Sequence, residues 1–179
     1  RACTTSLEGA AVKTPHLERM AAEGITLKNT ISNAPVCTPW RAAFLTGQYP
    51  LTNGVFLNDV RLSTDGPTLG TCLKADGYRT GYIGKWHLDG NERTAFTPPG
   101  PRRQGWDYWA VLNCTHSYLK SKYYQDDDDQ VREWDGYDAA RQTDEALDFI
   151  TNSSDSDQPF ALVLSWGPPH NPYRDVPPK

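Results

Sequence analysis

The apolar positions fall into short runs of alternating type. After Thr14-Pro15, a pair suited to the N-cap and first turn of a helix, Leu17, Met20 and Ala21 share one helical face, and Gly24 ends the run. Ile25 to Leu27 reads as a short strand. Thr38-Pro39 opens a second helix through Arg41, Phe44 and Leu45 to Gly47, and a third spans Thr68 to Ala75 and stops at Gly77. Tyr78 to Ile83 reads as a strand ending at Gly84. From Asp89 to about Asp135 the pattern predicts mostly loop. Tyr137 to Ile150 is a helix with Ala140, Thr143, Leu147 and Ile150 on one face. Phe160 to Trp166 is a continuous apolar run, as expected of a strand buried on both faces. Helices alternating with strands predict an α/β fold with a parallel or mixed sheet covered by helices, and its sites beyond the carboxyl ends of the strands.

Composition narrows the function classes. The 179 residues suffice for one modest domain. With 18 Lys and Arg against 22 Asp and Glu, the net charge is -4, which argues against a nucleic-acid arm or a basic membrane-surface helix. No apolar run approaches the roughly 18 residues of a membrane span. Six Trp, nine Tyr and 14 Pro suit aromatic loops that build a ligand site. The acid run Asp126 to Asp129 reads as a solvated loop rather than a cation site. Cysteines 3, 37, 72 and 114 form no CxxC pair, which argues against structural zinc; two disulfides by any of three pairings stay open. Asn113-Cys114-Thr115 and Asn152-Ser153-Ser154 fit the N-glycosylation pattern.

Three segments carry candidate chemistry. Cys37 stands at a helix N-terminus, where unpaired N–H groups favour an anion, and Arg41 one turn in adds a planar donor for a tetrahedral oxyanion. This reads as a nucleophile facing an oxyanion, or equally as a structural cysteine beside a surface arginine. A strand from Gly77 delivers Lys85 and His87, two apart and predicted to converge on one group. Pro168 and Pro169 stiffen a loop presenting His170, an acid–base candidate at a strand end.

These segments resemble those of a known family. Cys37-Thr38-Pro39-Trp40-Arg41 matches the Cys-x-Pro-x-Arg signature of the formylglycine-dependent sulfatases. Gly77 to His87 resembles their second signature, Val12 to Gly24 their first helix, and Pro168-Pro169-His170 a loop with a further active-site histidine. Trp40 departs from the small residue usual at its position. The resemblance implies the alkaline-phosphatase-like α/β fold, hydrolysis of sulfate esters and a calcium ion. It implies that Cys37 is oxidised to formylglycine by a formylglycine-generating enzyme. One hydroxyl of the hydrated aldehyde attacks sulfur, the alcohol leaves, and the second hydroxyl then expels sulfate. By the same resemblance Arg41 holds the diol, Lys85 binds a sulfate oxygen, His87 positions or deprotonates the diol, and His170 contacts the ester oxygen. Residue 37 is a calcium ligand, and His116 is a weaker candidate for substrate contact.

The resemblance also implies that residues 1–179 are the N-terminal part of a longer catalytic domain, lacking its first strand and C-terminal half. The other calcium ligands and a second sulfate-binding lysine then fall outside the chain, so the piece alone is not expected to act. The substrate expected is a sulfated small molecule or glycan, with the sugar suggested by the aromatic stretch Trp106 to Tyr124. No nucleic acid or membrane is expected as partner. The family's habit implies a secreted, periplasmic or lysosomal-like setting. Competing readings are a phosphonate or phosphate ester hydrolase of the same superfamily, a non-catalytic domain keeping the fold, and a hydrolase using the Cys37 thiol directly.

Overall fold

The computed structural model describes residues 12–173 and Pro177. Two units are distinguished, residues 1–32 and 33–179. In the first, Pro15–Glu23 form helix α1, bounded by Thr14 and Gly24 as the sequence predicts. Ile25 to Leu27 form no strand. A strand exists through its ladder partner, and the short stretch Ile25-Thr26-Leu27 does not supply one. Cys3 lies outside the described residues.

The second unit holds helices α2 (Cys37–Thr46), α3 (Pro50–Asn53), α4 (Leu69–Ala75) and α5 (Asp138–Ser154), and strands β1 (Arg79–Lys85), β2 (Tyr108–Leu112), β3 (Lys122–Gln125), β4 (Asp128–Glu133) and β5 (Phe160–Ser165). The sheet runs β4-β3-β2-β1-β5. β1 pairs in parallel with both β2 and β5, while β2–β3 and β3–β4 are antiparallel. Side chains alternate between two cores. Tyr82, Trp109 and Val111 pack with Trp86, Trp106, Ala42 and Leu45 on the α2 side. Ile83 and Ala110 pack with Ala146 and Trp134 on the α5 side. The three parallel strands end on one side, and the loops after them carry His87, His116 and His170.

Several expectations change. The stretch from Asp89 to Asp135 contains β2, β3 and β4. The β3–β4 hairpin is polar, with charges concentrated in β4 and no alternating apolar signal; Asp126 and Asp127 of the acid run form its turn, and Asp128 and Asp129 begin β4. Asp126 stands at φ +48° and its side chain accepts the Trp109 N–H, while Asp127 receives buried Arg103. α5 buries Asp138, Gln142, Ala146, Phe149 and Ser153 rather than the predicted face, so Leu147 and Ile150 are exposed. The buried stripe includes two polar residues that line a cavity of about 10 Å³ behind Lys85, which apolar counting does not select. β5 is an edge strand of the described sheet and only half-buried.

Candidate active site

The first turn of α2 positions Cys37. The helix begins two residues earlier than its Thr-Pro signal predicts, with Val36 rather than Thr38 in the N-cap position. Thr38 serves another purpose: its N–H donates to Asn58 Oδ1 at 3.0 Å, and its Oγ1 accepts the Asp59 N–H at 3.3 Å. A loop side chain therefore caps the helix. The backbone N–H groups of this turn and the Lys85 ammonium make the surroundings of Cys37 electropositive. Lys85 Nζ lies 3.7 Å from Cys37 Sγ, and His170 Nε2 lies 4.0 Å from it.

Arg41, one turn along α2, points back to the strand ends. Its Nη1 donates to Lys85 O at 2.8 Å, Ser165 Oγ at 2.7 Å and Tyr82 Oη at 3.3 Å. Its Nε is buried without a hydrogen-bond partner among the described residues. Helix α2, β1 and β5 are thus joined at one guanidinium.

His170 donates from Nδ1 to the Asn171 carbonyl at 2.7 Å. A carbonyl only accepts, so the neutral ring offers a bare Nε2 to residue 37. The His170 ring stacks on His116, 4.5 Å between centroids and 16° between planes. Burial first, then the positive charge of Lys85 and His170, lowers the His116 pKa.

Lys85 and His87 do not bond to a common group. β1 ends at Lys85, and His87 adopts left-handed backbone (φ +57°) with its N–H on Asn113 O, which breaks the alternation that a continuing strand would impose. The His87 ring is 2% exposed, and its Nε2 meets Asp59 Oδ1 at 2.8 Å. Burial drives its pKa down to about 4 against the opposing effect of the hydrogen bond it donates to Asp59. Hydrogen bonds from Arg93 and His87 hold the Asp59 carboxyl down to about 2.

The site therefore brings Cys37, Arg41, Lys85 and His170 into one contact set with His116 stacked on its edge, and adds Asp59, Arg93, Ser165 and Tyr82, which sequence reasoning missed. Asn58-Asp59 offered a weak signal, because Asn and Asp tolerate left-handed backbone; Arg93 offered none. The aromatic stretch is not a sugar platform: Trp106, Trp109, Tyr118 and Tyr124 are core side chains. Asn113 is buried, its amide donating to Gly90 O and Glu92 O, which removes it as a glycosylation acceptor. The described cysteines 37, 72 and 114 are free.

The described residues by themselves do not compose a calcium site. Among the described residues no three His, Cys, Asp or Glu side chains gather for a metal, Cys37 is faced by Lys85 and His170, and Asp59 is committed to Arg93 and His87. A hard cation takes about six to eight oxygen ligands.

The family model described as Sulfatase matches residues 4–179. The chain belongs to the sulfatase family. Among its relatives, an ulvan-active sulfatase of Formosa agariphila is 45% identical over 94% of this chain and 33% of its own. An N-acetylglucosamine-6-O-sulfatase of Bacteroides thetaiotaomicron is 31% identical over 94% of this chain and 28% of its own. A structure solved in complex with its substrate D-glucosamine-2-N,6-O-disulfate superposes with a TM-score of 0.78 at 30% identity, covering 94% of this chain and 32% of that one. The chain thus spans about a third of the length of these sulfatases. The shared fold agrees with the alkaline-phosphatase-like α/β architecture. No described helix is long and apolar enough to cross a membrane.

Proposed function

We propose that the protein containing this chain hydrolyses sulfate esters on a sulfated glycan, with residue 37 as the nucleophile after conversion of its cysteine to formylglycine. The observation that carries this reading is the placement of Lys85 Nζ and His170 Nε2 around Cys37 Sγ at 3.7 and 4.0 Å. The glycan preference is supported by relatives named for ulvan and N-acetylglucosamine-6-O-sulfate activity.

A hydrated aldehyde at residue 37 supplies an oxygen nucleophile toward sulfur and regenerates itself by expelling sulfate. The chain's own residues do the rest. Lys85 and the α2 N-terminus bind the sulfate oxygens and stabilise the negative charge gathering on them. Arg41 is held rigid by its three acceptors and adds a fixed positive charge beside residue 37. His170, when protonated, has Nδ1 occupied by the Asn171 carbonyl and Nε2–H free to donate to the departing ester oxygen. His87 accepts the proton of the residue-37 hydroxyl, and His116 lies beside His170 at the edge that a substrate would reach. A formylglycine-generating enzyme is the required partner, and a secreted, periplasmic or lysosomal-like location suits a glycan substrate.

The test uses the full-length protein from its native host. Peptide mapping over Asn29 to Arg41 is expected to show residue 37 without a thiol and reactive toward a hydrazide. Sulfated oligosaccharides are expected to release sulfate faster than matched phosphate esters release phosphate. An alkylatable thiol at residue 37 in active protein refutes the mechanism, and a preference for phosphate esters refutes the substrate class.

A further inference from the structure

Asp59 sits on a corner that the nucleophile's own helix holds in place. Its backbone is left-handed at φ +65°, its N–H is bound by Thr38 Oγ1, and the preceding Asn58 side chain binds the Thr38 N–H. Thr38 is the direct neighbour of Cys37. The carboxylate is shared between two bases. Oδ1 receives His87 Nε2 at 2.8 Å and Arg93 Nε at 2.9 Å, and Oδ2 receives Arg93 Nη2 at 2.7 Å.

Two facts make this more than a surface ion pair. His87 is almost fully buried, and its Nδ1 has no hydrogen-bond partner among the described residues. A carboxylate without a proton can only accept, so the hydrogen of a neutral His87 must stand on Nε2. Nδ1 is then the ring's one basic nitrogen, and it is left uncommitted inside the protein. The charged groups acting on His87 are Asp59, Lys85 and Arg93; the two cations oppose a second proton on the ring, and Arg93 keeps the carboxylate ionised.

We propose that Asp59 is a positioning residue that locks His87 in the Nε2–H tautomer and so leaves Nδ1 as the basic nitrogen, the one that, on the sulfatase reading, takes the proton of the residue-37 hydroxyl. The proton moves from that oxygen to Nδ1, and Nε2–H stays on His87, neutralised in place by Asp59. This role rests on the sulfatase reading above, although the tautomer itself does not.

The tautomer is measured by nitrogen NMR of the intact protein labelled with 15N-histidine at neutral pH, with the His87 signals assigned through His87→Gln. The expected result is a proton on Nε2 in the wild type and a mixture of tautomers in Asp59→Asn, whose side chain can donate as well as accept. A wild-type proton on Nδ1 overturns the proposal, whatever the substrate. In turnover, Asp59→Asn is expected to lower kcat on the order of 100-fold with little change in KM, as removal of a histidine-orienting carboxylate does elsewhere. Adding His87→Gln to Asp59→Asn is expected to cost little more, because residues acting as one unit are not additive. Unchanged kcat in Asp59→Asn, or multiplicative losses in the double variant, overturns the role. If no sulfate ester is hydrolysed at all, the sulfatase reading fails and the NMR result still decides the tautomer.

Discussion

Arg41 Nη1 lies 2.8 Å from the carbonyl oxygen of Lys85, so the guanidinium in the helix that begins at Cys37 is fastened to the strand end that carries Lys85. A lysine at position 41 has no planar fork and reaches at most part of the acceptor set formed by Lys85 O, Ser165 Oγ and Tyr82 Oη. Arg41→Lys is expected to lower stability by about 1–3 kcal/mol, the cost of leaving partly buried acceptors unpaired, and to reduce kcat/KM by at least 10-fold. Urea denaturation checks the first and steady-state kinetics on the full-length protein the second.

Cys37 tests the chemistry with little risk to the fold. Its side chain is only partly buried and packs mainly against polar tips. Cys37→Ala is expected to change stability by less than about 1 kcal/mol while abolishing both sulfate release and hydrazide labelling. Exposed Cys72→Ala is expected to alter neither. Labelling followed by mass measurement of the intact protein checks this.

Much of the site was readable because its residues lie in contiguous signatures. Cys37 and Arg41 are one helical turn apart, Lys85 ends the strand that the sequence predicts before Gly84, and His170 follows the apolar run of β5. The rest depends on backbone behaviour that a pattern does not encode. The left-handed turns at Asp59 and His87 redirect two side chains toward each other across 28 residues, and Arg93 joins them from a loop with no periodicity. The buried face of α5 escapes apolar counting because Asp138 and Gln142, two polar residues, occupy it. The hairpin of β3 and β4 gives no strand signal because Lys122, Asp128 and Arg132 carry charges where a strand is expected to alternate.

That buried polar stripe gives a pH prediction. Burial lowers the His87 pKa from 6.5 to about 4, so the unfolded chain binds more protons between these values, and stability falls as pH drops from about 6.5 to 4. Burial raises the Asp138 pKa from 3.8 to about 6, so the folded chain binds more protons in that window, and stability falls as pH rises through it. Each effect is about 3 kcal/mol and the two oppose each other. The wild type is expected to be nearly flat in stability between pH 4 and 6 as far as these groups decide it. Asp138→Asn is expected to expose the His87 slope, with denaturation midpoints falling steadily as pH drops below 6.5. Equal pH slopes for wild type and variant contradict this.

Gly84 sets the spacing of the site. It stands at φ +100°, and a Cβ there would sit on the Ser165 carbonyl oxygen of β5. Gly84→Ala is expected to cost about 3 kcal/mol or more, from unfavourable backbone and the forced separation of β1 and β5. The separation moves Lys85 relative to Ser165 and Arg41, so activity is expected to fall further than the loss of folded protein explains. Comparing thermal midpoints with specific activity of the remaining folded fraction separates the two.

The contact between Cys37 and His170 also sets a clock. The two residues are 133 positions apart, and at about 5–20 residues per second a ribosome delivers the second about 7–27 s after the first. During that interval His170 does not yet exist beside the thiol. On the reading proposed above, an enzyme converting Cys37 to an aldehyde would meet a thiol that His170 does not cover, and a synonymous slowing of translation between the two positions is expected to raise the fraction of chains converted.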